Sequence, residues 1–164
     1  MISIRPASRS DHEAIWEIFR EVVAAGDTFA NEPGAAREEA FEDWIERPQA
    51  TYVAELEGRV AGVYFLKPNQ RGLGSHICNA GYMVAGFARG RGLGQAMCEH
   101  SLSQAQALGY RAMQFNLVVS TNRPAVELWR RMGFEIAGTL PGAFRHSRLG
   151  FVDAYVMFRQ LDTS

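Results

Sequence analysis

The chain has 164 residues, 47% apolar and 21% charged, and its 17 basic and 18 acidic side chains leave a net charge of -1. These values fit one folded domain and exclude a disordered or fibrous chain. A near-neutral balance argues against a general nucleic-acid binder, and no apolar run is long enough to span a bilayer.

The charge is uneven along the chain. Residues 1–80 hold 8 basic and 13 acidic side chains, and residues 81–164 hold 9 basic and 5 acidic. A positive second half would attract an anionic small molecule, although scattered solvated charges would give the same count. Two cysteines, Cys78 and Cys98, are too few for a disulfide scaffold and fit no zinc spacing. With no apolar leader after Met1, the chain reads as a cytoplasmic protein with reduced thiols and no metal. No repeat or low-complexity linker interrupts it, so residues 1–164 are expected to form a single domain.

Residues 2–5 can form a first strand. From Asp11 onward Ile15, Ile18, Phe19, Val22 and Val23 share one helical face, with Gly26 as the stop. Residues 27–36 read as a loop punctuated by Pro33 and Gly34, and residues 37–46 as a second helix ended by Pro48. Trp16 and Trp44 fall at core spacing. Strands 51–56 and 59–66 flank Glu57-Gly58, a hairpin signal. A further strand, residues 75–84, contains Gly81, which implies a bulge or a close approach by a neighbour. Residues 92–108 are expected to be helical, with Leu93, Met97, Leu102 and Leu108 on the apolar face and Gly109 as the cap. A strand over 112–119, a helix over 122–132 and strands over 134–137 and 151–158 complete the order. That order is a mixed α/β (α+β) sheet with helices on its faces, not a repeated parallel array.

The most informative segment is Arg89-Gly90-Arg91-Gly92-Leu93-Gly94-Gln95, between a strand and a helix. Glycines there permit positive φ and a close ligand approach, and the helix start offers unpaired N–H groups. A diphosphate suits that site, with the two arginines adding charge. No Lys follows the glycines, which excludes a Walker A loop, and Gln95 stands where a dinucleotide fingerprint needs Gly. A tight turn that is merely rich in glycine is the alternative.

The segment resembles the signature Gln/Arg-x-x-Gly-x-Gly/Ala of the GCN5-related N-acetyltransferases. A second match lies at Asn122-x-x-Ala125-x-x-Leu128-Trp129, with Trp129 where most members carry Tyr. The resemblance implies a mostly antiparallel sheet splayed between strands 4 and 5, with acetyl-CoA as co-substrate lying in the gap. It carries Met83, Val84, Arg89, Gly90, Arg91, Gly92, Leu93, Gly94, Gln95, Asn122, Ala125 and Trp129 over as cofactor contacts. An exposed main-chain N–H near Met83 and Val84 would hold the oxyanion. Dimers are common in the family. Shorter matches around Cys78-Asn79 and Phe115-Asn116 are similar to acetyltransferases of proline analogues, and more distantly to phosphinothricin acetyltransferases.

The implied reaction is acetyl transfer to the amine of a small molecule, an amino acid or analogue. A protein amine, or acyl-CoA binding without catalysis, are the alternatives. Asn79 stands where some relatives have a carboxylate, and Asn cannot take a proton, so it would orient a water or the amine. Asn79, Asn116 and Tyr155 are the catalytic candidates. Phe29, Glu32, Asn79 and Asn116 are the acceptor-binding candidates. His76 as base, Tyr82 as acid, and Arg145, His146 and Arg148 as a carboxylate site each compete with an ordinary structural role.

Overall fold

A computed structural model describes residues 1–162. In chain order the elements are β1 (Ile2–Pro6), α1 (His12–Ala24), α2 (Arg37–Phe41), β2 (Ala50–Leu56), β3 (Arg59–Pro68), β4 (Ile77–Val84), α3 (Leu93–Ala107), β5 (Ala112–Val119), α4 (Arg123–Arg131), β6 (Glu135–His146) and β7 (Gly150–Gln160). The strands make one seven-stranded sheet in the order β1-β2-β3-β4-β5-β7-β6. Only β4 and β5 run parallel, with α3 as their crossover, and β1 and β2 pair antiparallel although α1 and α2 lie between them. None of these helices is long and apolar enough to cross a membrane.

Alternation along the strands splits the core in two. Val53, Val63, Phe65 and Met83 face α1 and α2, while Ala54, Tyr64, Leu66, Cys78 and Ala80 face α3 and α4. On the first face the apolar stripe of α1 is buried as its spacing requires, with Ile15 and Phe19 fully enclosed. Asp11 sits just ahead of α1 and is only 4% exposed. Arg5 holds it through bonds of 2.7 and 2.9 Å and also reaches Glu55 at 2.8 Å. That guanidinium lowers the Asp11 pKa from its ordinary value to about 2.

Several expectations shift by a turn or more. The second helix is α-helical only to Phe41 and continues as a π-turn over Glu42–Glu46, which carries Trp44 into the core. Trp44 meets Phe65 edge-on at 4.8 Å. Gly81 accommodates that pair: a Cβ there would lie 2.6 Å from Phe65 Cε2 and 3.3 Å from Trp44 Cη2. The β3–β4 register is unbroken at this point, so Gly81 answers a close approach and not a bulge. Leu108 is 45% exposed and lies just past α3, outside its apolar face, while Gly109 caps the helix at φ 88°. β6 runs on to His146, far beyond the short strand expected. A register shift between Leu140 and Phe144 absorbs Pro141 and Gly142 within the ladder.

The sheet divides at β4 and β5. Their pairing covers only Ile77–Ala112, Cys78–Met113 and Asn79–Gln114. Immediately afterwards β5 breaks register against β7 between Phe115 and Val118. One extra residue there bends β5 away from its neighbour. A bulge thus ends the parallel ladder and opens the gap.

Candidate active site

Main-chain register decides what the gap offers. Ala85 donates its amide to the Ala61 carbonyl at 2.8 Å, and Asn69 donates to Ile77 at 2.8 Å. Bonded and non-bonded pairs alternate along an antiparallel ladder, so the odd-numbered residues of β4 turn their polar groups to β3. Met83 is one of these, and its N–H belongs to the ladder with Val63. The even-numbered Tyr82 and Val84 turn theirs toward β5, beyond the last paired rung. Of the two residues named for the oxyanion, Val84 is therefore placed to donate and Met83 is not.

The gap runs into a cavity of about 520 Å³ whose wall includes Met83, Val84, Arg89, Gly90, Gly92, Leu93, Gly94 and Asn122. Gly90 and Gly92 have φ of 75° and 85°, which L side chains rarely adopt. Gly92 is the N-cap of α3 and brings no side-chain cap. The first helical bond is from Ala96 to the Gly92 carbonyl at 3.1 Å, so the amides of Leu93, Gly94 and Gln95 precede any helical acceptor. The third glycine has a different role: a Cβ at Gly94 would sit 3.1 Å from Leu128, so it lets α3 pack on α4. Arg89 lines the cavity, whereas Arg91 points to Glu57 at 3.7 Å. Gln95 donates to Glu99 at 3.1 Å on the exposed side of α3.

Deeper in, the cleft narrows to a throat walled by Ala80, Gly81, Tyr82, Phe115, Ala125 and Trp129. Tyr82, Phe115 and Trp129 pack ring against ring with centroids 4.9 to 5.8 Å apart. The Tyr82 hydroxyl turns away from the cleft to Ser101 Oγ at 2.6 Å, and burial raises its pKa. Asn122 precedes α4, bonds no helix amide with its side chain, and lines both the throat and the larger cavity. Thr28 also lines both, and its Oγ1 is buried without a partner. Nothing in the sequence singled Thr28 out.

The structure does not gather the remaining candidates in the throat. Asn79 Nδ2 donates to the Gln114 carbonyl at 2.9 Å and pins the vertex of the fork. Asn116 is exposed and lies in a chain of amides, donating to Asn69 at 2.7 Å and accepting from Gln114 at 2.9 Å. Both asparagines sit on the strand face opposite to Cys78, Ala80 and Tyr82, as the twofold strand period dictates. Tyr155 lies in a separate depression with Ser120, Arg123, Val126 and Ile136, against α4. His76 is exposed at the far end of β4, about 20 Å along the strand from Tyr82 at 3.3 Å per residue. Cys78 is fully buried and its pKa is pushed up to about 12 by burial, which suits an inert thiol.

A third cavity, of about 430 Å³, lies between the 26–33 loop and the β6–β7 hairpin. Phe29 lines it together with the throat and the larger cavity, and so stands where all three meet. Glu32 also lines it and pairs with Arg145 at 3.2 Å. His146 is consumed structurally: its Nδ1 accepts the amides of Arg148 and Leu149 at 3.1 and 3.2 Å and closes the hairpin turn.

A sheet forked after its fourth strand, with open amides at the following helix start, defines a class of acyl-CoA-dependent acyltransferase folds. The acetyltransferase (GNAT) family model matches residues 12–134, and the chain belongs to that family. It superposes on a GCN5-related N-acetyltransferase from Kribbella flavida with a TM-score of 0.92 and 43% identity, covering 98% of both chains. It is 30% identical to the L-amino acid N-acetyltransferase AaaT of Escherichia coli, covering 96% of this chain and 97% of that protein. It is also 36% identical over 108 residues to the N-acetyltransferase aca1 of Schizosaccharomyces pombe, covering 65% of this chain and 52% of that one. The chain thus spans about half the length of aca1.

Proposed function

We propose that this chain, acting as a single domain, transfers the acetyl group of acetyl-CoA to the amine of a small molecule of amino-acid type. The observation that carries the reading is the β4–β5 gap: its free strand edge at Tyr82 and Val84 leads directly to the open amides of α3. The pantetheine arm would pair with that edge as an added strand, and the diphosphate would meet Gly92, Leu93 and Gly94, with Arg89 beside them. Asn122 is the side chain best placed to reach the arm from the opposite wall. The relative that by name acts on L-amino acids matches this chain almost end to end, which supports the acceptor class.

The acceptor's neutral nitrogen attacks the thioester carbon, the carbonyl oxygen gains charge, and the C–S bond then breaks to release the thiolate. The Val84 N–H is aimed into the gap where that oxyanion would form. No Asp, Glu, His or Lys lines the throat, and Asp27 lines the larger cavity that adjoins it, so the proton leaves to that carboxylate or to solvent. Catalysis here rests on alignment and main-chain electrostatics. The test is thiol release from acetyl-CoA across a panel of free amino acids and simple amines. Turnover with at least one free amino acid is expected.

The absence of Asp, Glu, His and Lys from the throat wall also favours a second reading, acyl-CoA binding without transfer. Tight cofactor binding with no thiol release from any acceptor would establish it.

A further inference from the structure

Among the described residues, Thr28, Phe29, Tyr82 and Asn122 wall both the throat and the larger cavity. They ring the place where one space opens into the other. Phe29 has no polar side-chain atom, and the Tyr82 hydroxyl is turned away to Ser101. The polar side chains left at the junction come from opposite faces of the sheet. Asn122 leads into α4, whereas Thr28 lies in the loop after α1. Its neighbour Phe29 also walls the third cavity, whose lining includes no residue of α3. Thr28 therefore stands on the side of the junction away from the α3 amides. The loop is held just ahead of it: Ser147 donates its main-chain N–H to the Gly26 carbonyl at 3.0 Å and its hydroxyl to the Ala25 carbonyl at 2.9 Å.

Thr28 Oγ1 is buried and meets no hydrogen-bond partner, and among the described residues no other buried side-chain oxygen or nitrogen is in this state. Burial without a partner is destabilising for a hydroxyl, and valine would fill the same volume without that penalty. The missing partner is one that a bound molecule can bring. A turn about χ1 between staggered wells moves the oxygen round Cβ, within a residue that already walls both spaces.

We propose that the Thr28 hydroxyl aligns the attacking nitrogen of the acceptor. Its oxygen accepts one N–H of the neutral amine, which leaves the nitrogen lone pair free to point at the thioester carbon. The C–N bond forms, the C–S bond breaks to give the thiolate, and the proton lost by the nitrogen goes to Asp27 or solvent. Thr28 itself keeps its proton throughout. This inference rests on the acetyl-transfer reading above and adds the residue that orients the nucleophile.

The test follows thiol release at saturating acetyl-CoA while varying the free amino acid that the intact protein uses fastest. It compares the intact protein with Thr28→Val, which keeps the shape and removes the hydroxyl, and Thr28→Ser, which keeps the hydroxyl. Thr28→Val is expected to lower kcat by about 10- to 100-fold, as misalignment of a reacting group does, with the Kd for acetyl-CoA within about twofold. Thr28→Ser is expected to recover kcat to within about fivefold of the intact protein. A kcat for Thr28→Val within about twofold of the intact value would overturn the proposal. So would an equal loss in both variants, with thermal melting showing them folded, because the methyl and not the hydroxyl would then matter. A fall in acetyl-CoA affinity as large as the fall in kcat would also overturn it, by moving the contact from acceptor to cofactor. Absence of thiol release from the intact protein with every acceptor would instead remove the transfer reading, and the role of Thr28 with it.

Discussion

Replacement of Gly92 separates what backbone geometry contributes to cofactor binding from what charge contributes. Gly92 sits at φ 85° and ψ 10°, and an added Cβ would find no heavy atom within 4 Å. Gly92→Ala therefore introduces no clash, only the penalty of an L-residue in the left-handed region, about 1–2 kcal/mol. If the turn holds, that strain appears as lost stability, a fall of about 2–4 °C in Tm per kcal/mol for a chain of this size. If the turn relaxes, the amides of Leu93, Gly94 and Gln95 rotate off their common target, and the same energy appears as about 5- to 30-fold weaker coenzyme A binding. Gly92→Glu adds a like charge beside the diphosphate and should weaken binding by about 100-fold or more. Calorimetric titration with coenzyme A and, separately, with pantetheine reads the two contributions, because pantetheine lacks the diphosphate. Pantetheine affinity should be nearly the same in all three proteins. Undiminished coenzyme A binding by Gly92→Glu, or an equal loss of pantetheine binding, would refute the placement of the diphosphate at this turn.

Other outcomes follow from single contacts. Gly81→Ala should lower the folding free energy by about 1–3 kcal/mol, since its Cβ would fall 2.6 Å from Phe65 in a packed aromatic pair; chemical denaturation measures it. Thr28→Val removes the partnerless buried hydroxyl and should leave Tm unchanged or raised, and a clear fall would show that Thr28 Oγ1 has a partner after all. Asp11→Asn should cost about 1–2 kcal/mol at neutral pH. The carboxyl titrates at about 2 in the folded chain against 3.8 as the ordinary value, so its contribution is full above pH 4 and disappears as the pH falls toward 2. The acid limb of the unfolding curve should therefore flatten over that window in the variant, as followed by circular dichroism.

The elements legible in the sequence were those governed by local chemistry. The α1 stripe, the Glu57-Gly58 turn at φ 53° and 80°, and the glycines of the α3 start all declare themselves within a few residues. What stayed hidden depends on distant partners. The direction of the Met83 amide follows from which β3 residue lies opposite it, and no local pattern reports that. Asn79 and Asn116 drew attention because amides are uncommon in strands, yet each finds a carbonyl or amide partner supplied by another segment. Tyr155 faces α4 because of its register on β7. The length of β6, Glu135–His146 against the expected 134–137, rests on its pairing with the distant β7. The Ser147 contact joins segments more than a hundred positions apart and has no sequence signature at all.

The break in β5 rests on a count. Two consecutive residues, Asn116 and Leu117, face a single position on β7. Shortening that stretch by one would restore a one-to-one match, and the strand could then lie flat against β4 along its whole length. The outcome would be a protein with its layers and core intact and its doorway zipped shut. In this architecture, the distance between an inert scaffold and a working receptacle is a single amino acid.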